Sequence, residues 1–274
     1  MSGRALAFEC GGDWLYGVLD LPAAASRRGV LIVVGGPQYR AGSHRQFTLL
    51  ARSLAEQGVA AMRFDYRGMG DSQGAMRDFE DTGADLRSAI DTFFAQAPEL
   101  TEVVLWGLCD AASAGALYAA SDPRVTGLVL LNPWVRTESG AAKATLKHYY
   151  RDRILDGGLW KKIGSGKFDV GAALKSFVGL LGNANKGVEA GALPDRMHAG
   201  LGQFGGKVLV ILSGADLTAQ EFADLSASSP KWKSLMAAPR ITRKLLPKAD
   251  HTCSRREWHE QVAQWTVEWV KDGY

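Results

Sequence analysis

Short, uninterrupted apolar runs recur along the chain, separated by longer segments with helical spacing. Runs of this kind, rich in β-branched residues, are typical of strands buried on both faces of a parallel sheet. Six of them follow one another: Val30–Val34, Val59–Phe64, Val103–Trp106, Val125–Leu131, Val208–Leu212 and Ile241–Leu246. Two earlier runs, Leu6–Phe8 and Tyr16–Leu21, flank Gly11-Gly12 and predict an opening hairpin. The alternation predicts an α/β fold with a mostly parallel sheet flanked by helices.

Four segments between or after these runs have the spacing of helices that pack on a sheet. They are Phe47–Gln57, Phe79–Ala97, Ala111–Ala120 and Arg255–Val270. The first stops at Gly58, a typical C-cap, and the second stops before Pro98. The last carries three tryptophans near one face, which we interpret as core packing.

The segment 133–206 interrupts the alternation, because it has helical pieces and several glycines but no strand pattern. It lies between two predicted parallel strands, so we expect a cap or lid over the carboxyl edge of the sheet that sets substrate choice. Residues 136–207 hold twelve Lys and Arg against six Asp and Glu. This excess is typical of a solvated face, although it would also suit an acidic or phosphate-bearing substrate. We predict one domain, residues 1–274, with this insertion.

Composition and charge narrow the range of functions. The formal net charge is only +3, and no basic run or basic-aromatic stripe points to nucleic acid. The apolar runs are too short for a membrane span, and the N-terminus has no signal-peptide pattern. The three cysteines, Cys10, Cys109 and Cys253, fit neither a disulfide framework nor a zinc site. We therefore expect a cytoplasmic protein without a metal or cofactor, and the sequence leaves its oligomeric state open.

A sharp strand-to-helix turn is predicted at Gly107-Leu108-Cys109-Asp110-Ala111. In the layout Gly-x-nucleophile-x-small the central residue has a strained backbone, so its neighbours two positions away must be small. The turn exposes the Cys109 thiol at a helix N-terminus, where the dipole favours thiolate. The usual motif has Ser at the centre and Gly at the end. A buried structural cysteine after a core strand is the alternative interpretation.

Candidate partners for this nucleophile follow in the order acid, then base. Asp216 comes just after the strand Val208–Leu212, and His251 lies in the loop after Ile241–Leu246. We predict a Cys109–His251–Asp216 triad, in which His251 takes the thiol proton and Asp216 orients the ring. The competing carboxylates are Asp250 and Asp224. The other histidines are His44, which could approach the pocket, and His148, His198 and His259.

Backbone N–H groups around the nucleophile could stabilise an oxyanion. The N–H of Asp110 is the first such donor. The second should come from the turn Gly35-Gly36-Pro37-Gln38, in which Pro37 has no N–H. Gly36 is the first choice and Gln38 the second, with a plain tight turn as the alternative.

The run Asp65-Tyr66-Arg67-Gly68-Met69-Gly70-Asp71-Ser72 resembles a loop of the α/β hydrolases. We interpret it as a structural turn that Asp65 and Arg67 brace by ion pairing. Together with the nucleophile turn and the order of acid and base, it makes the whole chain resemble the α/β-hydrolase superfamily, and this resemblance implies that fold.

Longer motifs carry a narrower resemblance. They are Gly35-Gly36-Pro37-Gln38-Tyr39-Arg40, Gly42-Ser43-His44-Arg45-Gln46-Phe47, Trp106-Gly107-Leu108-Cys109-Asp110-Ala111-Ala112-Ser113 and Leu131-Asn132-Pro133-Trp134-Val135-Arg136. With these motifs the chain resembles the exosortase A system-associated hydrolase 1 family. The resemblance implies a bacterial protein near exopolysaccharide and protein-sorting genes, but it implies no known substrate.

Three functions fit these residues. The first is an esterase or thioesterase that acts through an acyl-Cys109 intermediate on a small-molecule or carrier-bound acyl substrate. The second is an acyltransferase with the same intermediate, since a thioester passes readily to another nucleophile when water is excluded. The third is a non-catalytic binding protein, which the intact order of Cys, Asp and His disfavours.

Overall fold

The computed structural model describes residues 3–36, 38–135 and 191–272. Its sheet has the strand order β1-β2-β4-β3-β5-β6-β7-β8. The strands are β1 (Arg4–Cys10), β2 (Asp13–Asp20), β3 (Arg28–Val33), β4 (Ala60–Phe64), β5 (Glu102–Leu108), β6 (Val125–Leu131), β7 (Lys207–Ser213) and β8 (Ile241–Leu246). The hairpin β1–β2 and the pair β2–β4 are antiparallel, whereas β3 to β8 run parallel. The predicted α/β fold with a mostly parallel sheet is confirmed.

Helices flank this sheet. They are α1 (Gln46–Glu56), α2 (Gly83–Gln96), α3 (Asp110–Tyr118), α4 (Leu193–Gln203), α5 (Leu217–Ser228), α6 (Pro230–Met236) and α7 (Arg256–Lys271). The pattern had predicted α1, α2, α3 and α7 to within a few residues at each end, except that Phe79–Asp81 forms a separate 3₁₀ turn before α2. It had not singled out α5 and α6, which lie between β7 and β8.

The central strands are buried on both faces, which explains why their sequences are continuously apolar. Along β3, Leu31 packs into the core on one side of the sheet, whereas Val30 and Ile32 pack into the core on the other side. Burial of such a side chain contributes roughly 1.5–3 kcal/mol. Trp106 of β5 meets Phe47 of α1 edge-on at 5.7 Å. Packing on both faces therefore fixes the position of the carboxyl ends of these strands.

Most of the predicted cap lies outside the described residues, which omit 136–190. The part that is described, from residue 191 onward, contains α4. Met197 and Leu201 of this helix are fully buried in the core beside α3. A Cβ on Gly200 would overlap the carbonyl oxygen of Ala116, so the two helices cross closely. Residues 193–203 therefore belong to the helical layer of the fold, and a cap stays a prediction for 136–190.

The loop after β4 is braced by ion pairs, but to partners in other segments. Asp65 accepts the N–H of Arg40 at 2.6 Å and pairs with the Arg40 guanidinium. Arg67 donates to Asp85 of α2 at 3.0 and 2.9 Å. Asp65 and Arg67 thus brace this turn by ion pairing, as the sequence predicted. The loop is tied to the turn after β3 and to α2.

Candidate active site

The carboxyl ends of the parallel strands bring the predicted site residues to one edge of the sheet. Gly36 follows β3, Cys109 follows β5, Asp216 follows β7 and His251 follows β8. Parallel strands share one direction, so their carboxyl ends meet along one edge, where open α/β sheets bind ligands. Side chains far apart in sequence thus come together at this edge.

Cys109 occupies the strained turn between β5 and α3, with φ 62° and ψ −123°. A non-glycine residue at such a φ needs support from its surroundings. The Cys109 N–H donates to Leu131 at 2.9 Å, and its carbonyl accepts the N–H of Trp134 at 3.2 Å. A Cβ on Gly107 would come within 2.5 Å of the Ala111 backbone, which is why this position must be glycine. The thiol is half-buried, whereas those of Cys10 and Cys253 are buried.

Asp216 and His251 form a hydrogen-bonded pair next to this cysteine. Asp216 is the N-cap of α5, and its carboxylate accepts the N–H groups of Thr218 and Ala219, each at 3.2 Å. The same carboxylate lies 2.9 Å from Nδ1 of His251. It is therefore held by its own helix while it orients the imidazole, as expected for a carboxylate that selects the ring tautomer.

The electrostatics of His251 reflect both neighbours. Its pKa is raised to about 10, first by the hydrogen bond to Asp216 and then by the hydrogen bond to Cys109, while burial opposes the rise. This raised pKa favours the imidazolium form of the ring at neutral pH. Because Asp216 bonds the ring and Cys109 lies close enough to raise its pKa, the structure brings these three residues together.

The predicted oxyanion donors are arranged differently from the expectation. The N–H of Gly36 donates to Oδ2 of Asp110 at 2.8 Å, and Oδ1 of the same carboxylate accepts the N–H of Ala111 at 2.9 Å. A Cβ on Gly35 would overlap Oδ1, so glycine there lets the turn approach the carboxylate. Gly36, the first choice as second donor, is therefore already paired and is not free to bind a substrate oxygen in this arrangement.

Asp110 and Gln38 complete the turn region. Burial raises the pKa of the Asp110 carboxyl, and hydrogen bonds from the N–H groups of Gly36 and Ala111 oppose the rise. The side chain of Gln38 accepts the N–H of Ser43 at 3.1 Å, which anchors the turn. Within the described ranges no hydrogen bond engages the backbone N–H of Gln38, the second-choice donor, whereas the N–H of Gly36 is already bonded.

The competing carboxylates lie in other settings. Asp250 accepts the N–H of Ser254 at 2.9 Å and also bonds its hydroxyl, as in a local turn. Asp224 lies within α5, where its backbone carbonyl accepts the hydroxyl of Ser228 at 2.7 Å. Asp216 is thus the carboxylate found on the His251 ring among the described residues.

The other histidines are also elsewhere. His198 on α4 lies 3.3 Å from the carbonyl of Lys231. His259 is inside α7, on a groove with α1. His44 is exposed in a 3₁₀ turn, and His148 lies outside the described residues.

Two features of the site were missed by sequence reasoning. One is the Asp110 carboxylate, which had been considered only for its backbone N–H. The other is Asn132, fully buried after β6 with φ 48°. An Asn directly before Pro133 at a strand end was the available signal, since Asn tolerates positive φ better than most residues.

Within the described ranges no group of three or more His, Cys, Asp or Glu is arranged to hold a metal ion. No helix in the same ranges is long and apolar enough to cross a membrane.

A parallel sheet with an opening antiparallel hairpin, a strained nucleophile turn after β5, and an acid and a histidine after later strands define the α/β-hydrolase fold. The model of the serine aminopeptidase, S33, family matches residues 25–155, slightly under half of the chain. The chain therefore has the α/β-hydrolase fold. No curated protein matches it significantly.

Solved structures with the same fold span nearly the whole chain. An esterase from Pyrococcus furiosus has a TM-score of 0.67 at 13% identity, with 99% of this chain and 91% of that chain covered. The esterase domain of a Rhodothermus marinus protein has 0.61 at 16% identity, with 99% of both chains covered. A putative α/β hydrolase of unknown function from Agrobacterium tumefaciens has 0.62 at 15% identity, covering 98% and 95%. At these identities the likeness concerns the fold alone.

Proposed function

We propose that the protein is an acyl hydrolase of the esterase or thioesterase type that uses Cys109 as its nucleophile. The observation that carries this proposal is the His251 ring, which is hydrogen-bonded to Asp216 at 2.9 Å and lies close enough to Cys109, at the strained turn, for the thiol to raise its pKa. The esterases of P. furiosus and R. marinus, which share the fold, support an acyl ester as the class of substrate. The proposed substrate is a small-molecule or carrier-bound acyl ester or thioester.

In the acylation step, His251 has taken the thiol proton, so Cys109 attacks the acyl carbon as a thiolate and a C–S bond forms. The carbonyl electrons move to oxygen, and the tetrahedral intermediate collapses by breaking the bond to the alcohol or thiol. The leaving group takes a proton from the His251 imidazolium, the form favoured by its raised pKa. The products are an acyl-thioester on Cys109, the free alcohol or thiol, and a neutral His251.

In the deacylation step, the neutral His251 accepts a proton from water while the water oxygen attacks the thioester carbon. The C–S bond then breaks, the carboxylic acid departs, and the sulfur and ring return to their starting forms. Asp216 holds the ring in the tautomer that presents Nε2 to the reaction and stabilises its positive charge.

The N–H of Asp110 and the N–H of Gln38 are the proposed oxyanion donors. Asp110 contributes the N–H directly after the nucleophile, at the start of α3, where the helix dipole also favours negative charge. Gln38 replaces Gly36, whose N–H is bonded to the Asp110 carboxylate. Gly36 could serve only if that carboxylate moved away.

An acyltransferase is the second candidate, and the identity of the nucleophile favours it. A cysteine forms a thioester intermediate, which is a better acyl donor to amines and alcohols than the oxygen ester formed by serine. The motifs around Gly36, Cys109 and Asn132 also support membership of the exosortase A system-associated hydrolase 1 family. In an acyltransferase, the residues of the predicted cap, including 136–190, would decide whether water or an acyl acceptor reaches the thioester.

The test combines a panel of matched acyl esters and thioesters with mass spectrometry of the intact protein and its peptides. We expect turnover and an acyl adduct on Cys109, both absent in Cys109→Ala. Cys253→Ala is the matched control, because burial raises the pKa of that thiol to about 11 and keeps it protonated. Turnover that survives in Cys109→Ala, or an adduct on another residue, would refute the proposed nucleophile. If no substrate of the panel is turned over and none acylates Cys109, the binding-protein interpretation would be favoured.

A further inference from the structure

Asn132 lies where three loops of the site meet. It follows β6 directly, its side chain is fully buried, and its backbone is left-handed with φ 48°. A buried amide in such a conformation is retained only where the surrounding hydrogen bonds support it. Its contacts therefore indicate what this residue does.

The polar groups of Asn132 are bonded to both loops that carry the proposed acid and base. Its backbone N–H donates to Ile211 at 3.0 Å, and its Oδ1 accepts the N–H of Ser213 at 2.8 Å. Its Nδ2 donates to the Ser213 hydroxyl and to the carbonyl of His251, each at 3.0 Å. The amide thus uses one acceptor site and both donor hydrogens.

These bonds continue the sheet beyond its last strand pairs. The β6–β7 ladder ends at Leu131 and Ile211, and Asn132 adds the next bonds to the start of the acid loop. The acid and histidine loops are also joined by the N–H of Ala215 and the carbonyl of Ala249, at 3.0 Å. The bond between Ala215 and Ala249 lies two residues before His251, whereas the bond from Asn132 reaches the backbone carbonyl of His251 itself.

We propose that Asn132 is a positioning residue of the proposed reaction, which holds the backbone of His251 at a set distance from the Asp216 loop. The inference rests on the proposed function for its catalytic consequence, but its geometric basis is independent of it. Without the amide, the His251 loop keeps its bonds near Ala249 and loses its bond to the end of β6. The ring would then spend less time bonded to Asp216 and Cys109.

The test compares Asn132→Gly with Asp122→Asn. Glycine tolerates φ 48° and removes only the amide. Asp122 lies just before β6, at the opposite end of the strand from Asn132, and is a buried carboxylate bonded to Arg124 and Tyr118. Its substitution weakens a buried polar network outside the site, so it reports on destabilisation alone.

Three readouts separate positioning from a purely structural role. They are kcat and KM on the best substrate, the pKa of His251 by NMR titration, and the rate of Cys109 alkylation by iodoacetamide. The charged and titratable groups that act on this ring are Asp216, Cys109 and Asp110, and none of them is altered by either variant.

For Asn132→Gly we expect kcat to fall about ten- to hundredfold with little change in KM, since small misplacements of a catalytic group have effects of this size. The His251 pKa should fall by about one unit or more as its bonds weaken, and the alkylation rate should change with it. Asp122→Asn should lower the melting temperature and leave all three readouts near the parent values.

A lower melting temperature of Asn132→Gly with unchanged kcat, His251 pKa and alkylation rate would overturn the proposal. If this variant does not fold, Asn132→Asp takes its place. That change keeps the size and the acceptor for the Ser213 N–H, but an ionised carboxylate cannot donate to the His251 carbonyl. An unchanged kcat and alkylation rate in that variant would also overturn it. If the parent protein turns over no substrate, the proposed function fails, and the NMR and alkylation readouts still decide the role of Asn132.

Discussion

The N-termini of α3 and α5 both lie at the carboxyl edge of the sheet, and each holds a carboxylate, which is half-buried in α3 and buried in α5. Asp110 is the first residue of α3, and Asp216 is the N-cap of α5. Each carboxylate accepts backbone N–H groups of its own helix. By residue type and helix position, the two are closely matched.

The two carboxylates differ in the group that each one faces in the opposing segment. Asp216 faces the imidazole of His251, whereas Asp110 faces the backbone N–H of Gly36. Burial raises the pKa of the Asp110 carboxyl, since its backbone donors do not fully offset the loss of water. A carboxylate at a helix N-terminus thus acquires its role from what the opposing segment offers. The Asp216 carboxylate bonds the His251 ring directly, whereas the Asp110 carboxylate bonds the turn after β3.

Substitution of Asp216 should produce the largest effect. We expect Asp216→Asn to lower kcat by roughly a thousandfold or more, because the ring loses its orienting partner and its preferred tautomer. The His251 pKa should fall from about 10 toward its ordinary value of 6.5. Kinetics on the best substrate and NMR titration measure the two effects.

Asp250→Asn is the matched control, since Asp250 is the competing carboxylate and bonds Ser254 instead of the ring. It should change kcat by no more than about threefold, as expected for a change outside the site. A greater loss in Asp250→Asn than in Asp216→Asn would show that the acid has been misassigned.

The same Asp216→Asn variant should alter how stability depends on pH. The raised pKa of His251 stabilises the folded protein fully below about pH 6.5, and this stabilisation is lost as the pH rises toward 10. Without Asp216, unfolding free energies measured in denaturant should vary less over this interval. Curves of equal slope for both proteins would contradict the assignment.

Replacement of the nucleophile should have an intermediate effect that depends on the substrate. In Cys109→Ser we expect thioester turnover to fall more than ester turnover, and acyl transfer to an added amine or alcohol to fall as well. A hydroxyl depends wholly on the base at the moment of attack. The fold should be little affected, with a cost below about 1.5 kcal/mol.

The measurement is turnover of matched esters and thioesters, with and without an acceptor, for both proteins. Equal rates on every substrate would mean that the cysteine at the start of α3 is incidental, and the acyltransferase candidate would lose its main support.

Substitution of Asp110 should have the smallest effect of the three. In Asp110→Asn the amide oxygen can still accept one of the two N–H groups, from Gly36 or Ala111. The loss of one bond is offset by removal of a half-buried charge, so we expect kcat to stay within about tenfold of the parent value. A loss as large as that in Asp216→Asn would erase the distinction between the two helix N-termini.

The sequence by itself was sufficient for the strands, most of the helices and the order of the site residues. Burial on both faces of a parallel sheet leaves continuous apolar runs such as Val125–Leu131, and helices leave a period that local inspection detects. The turn at Cys109 could also be predicted from the sequence. It requires small residues at Gly107 and Ala111, which are close to Cys109 in the chain. These features depend on contacts within a few residues.

Only the tertiary structure decided which polar groups meet. Gly36 lies 74 residues from Asp110, and Asn132 lies 119 residues from His251. The partners of Asp65 and Arg67 likewise come from other segments. A hydrogen bond depends on the distance and direction between two groups, and for such pairs these are set by the packing of the whole sheet. No local pattern in the chain records them.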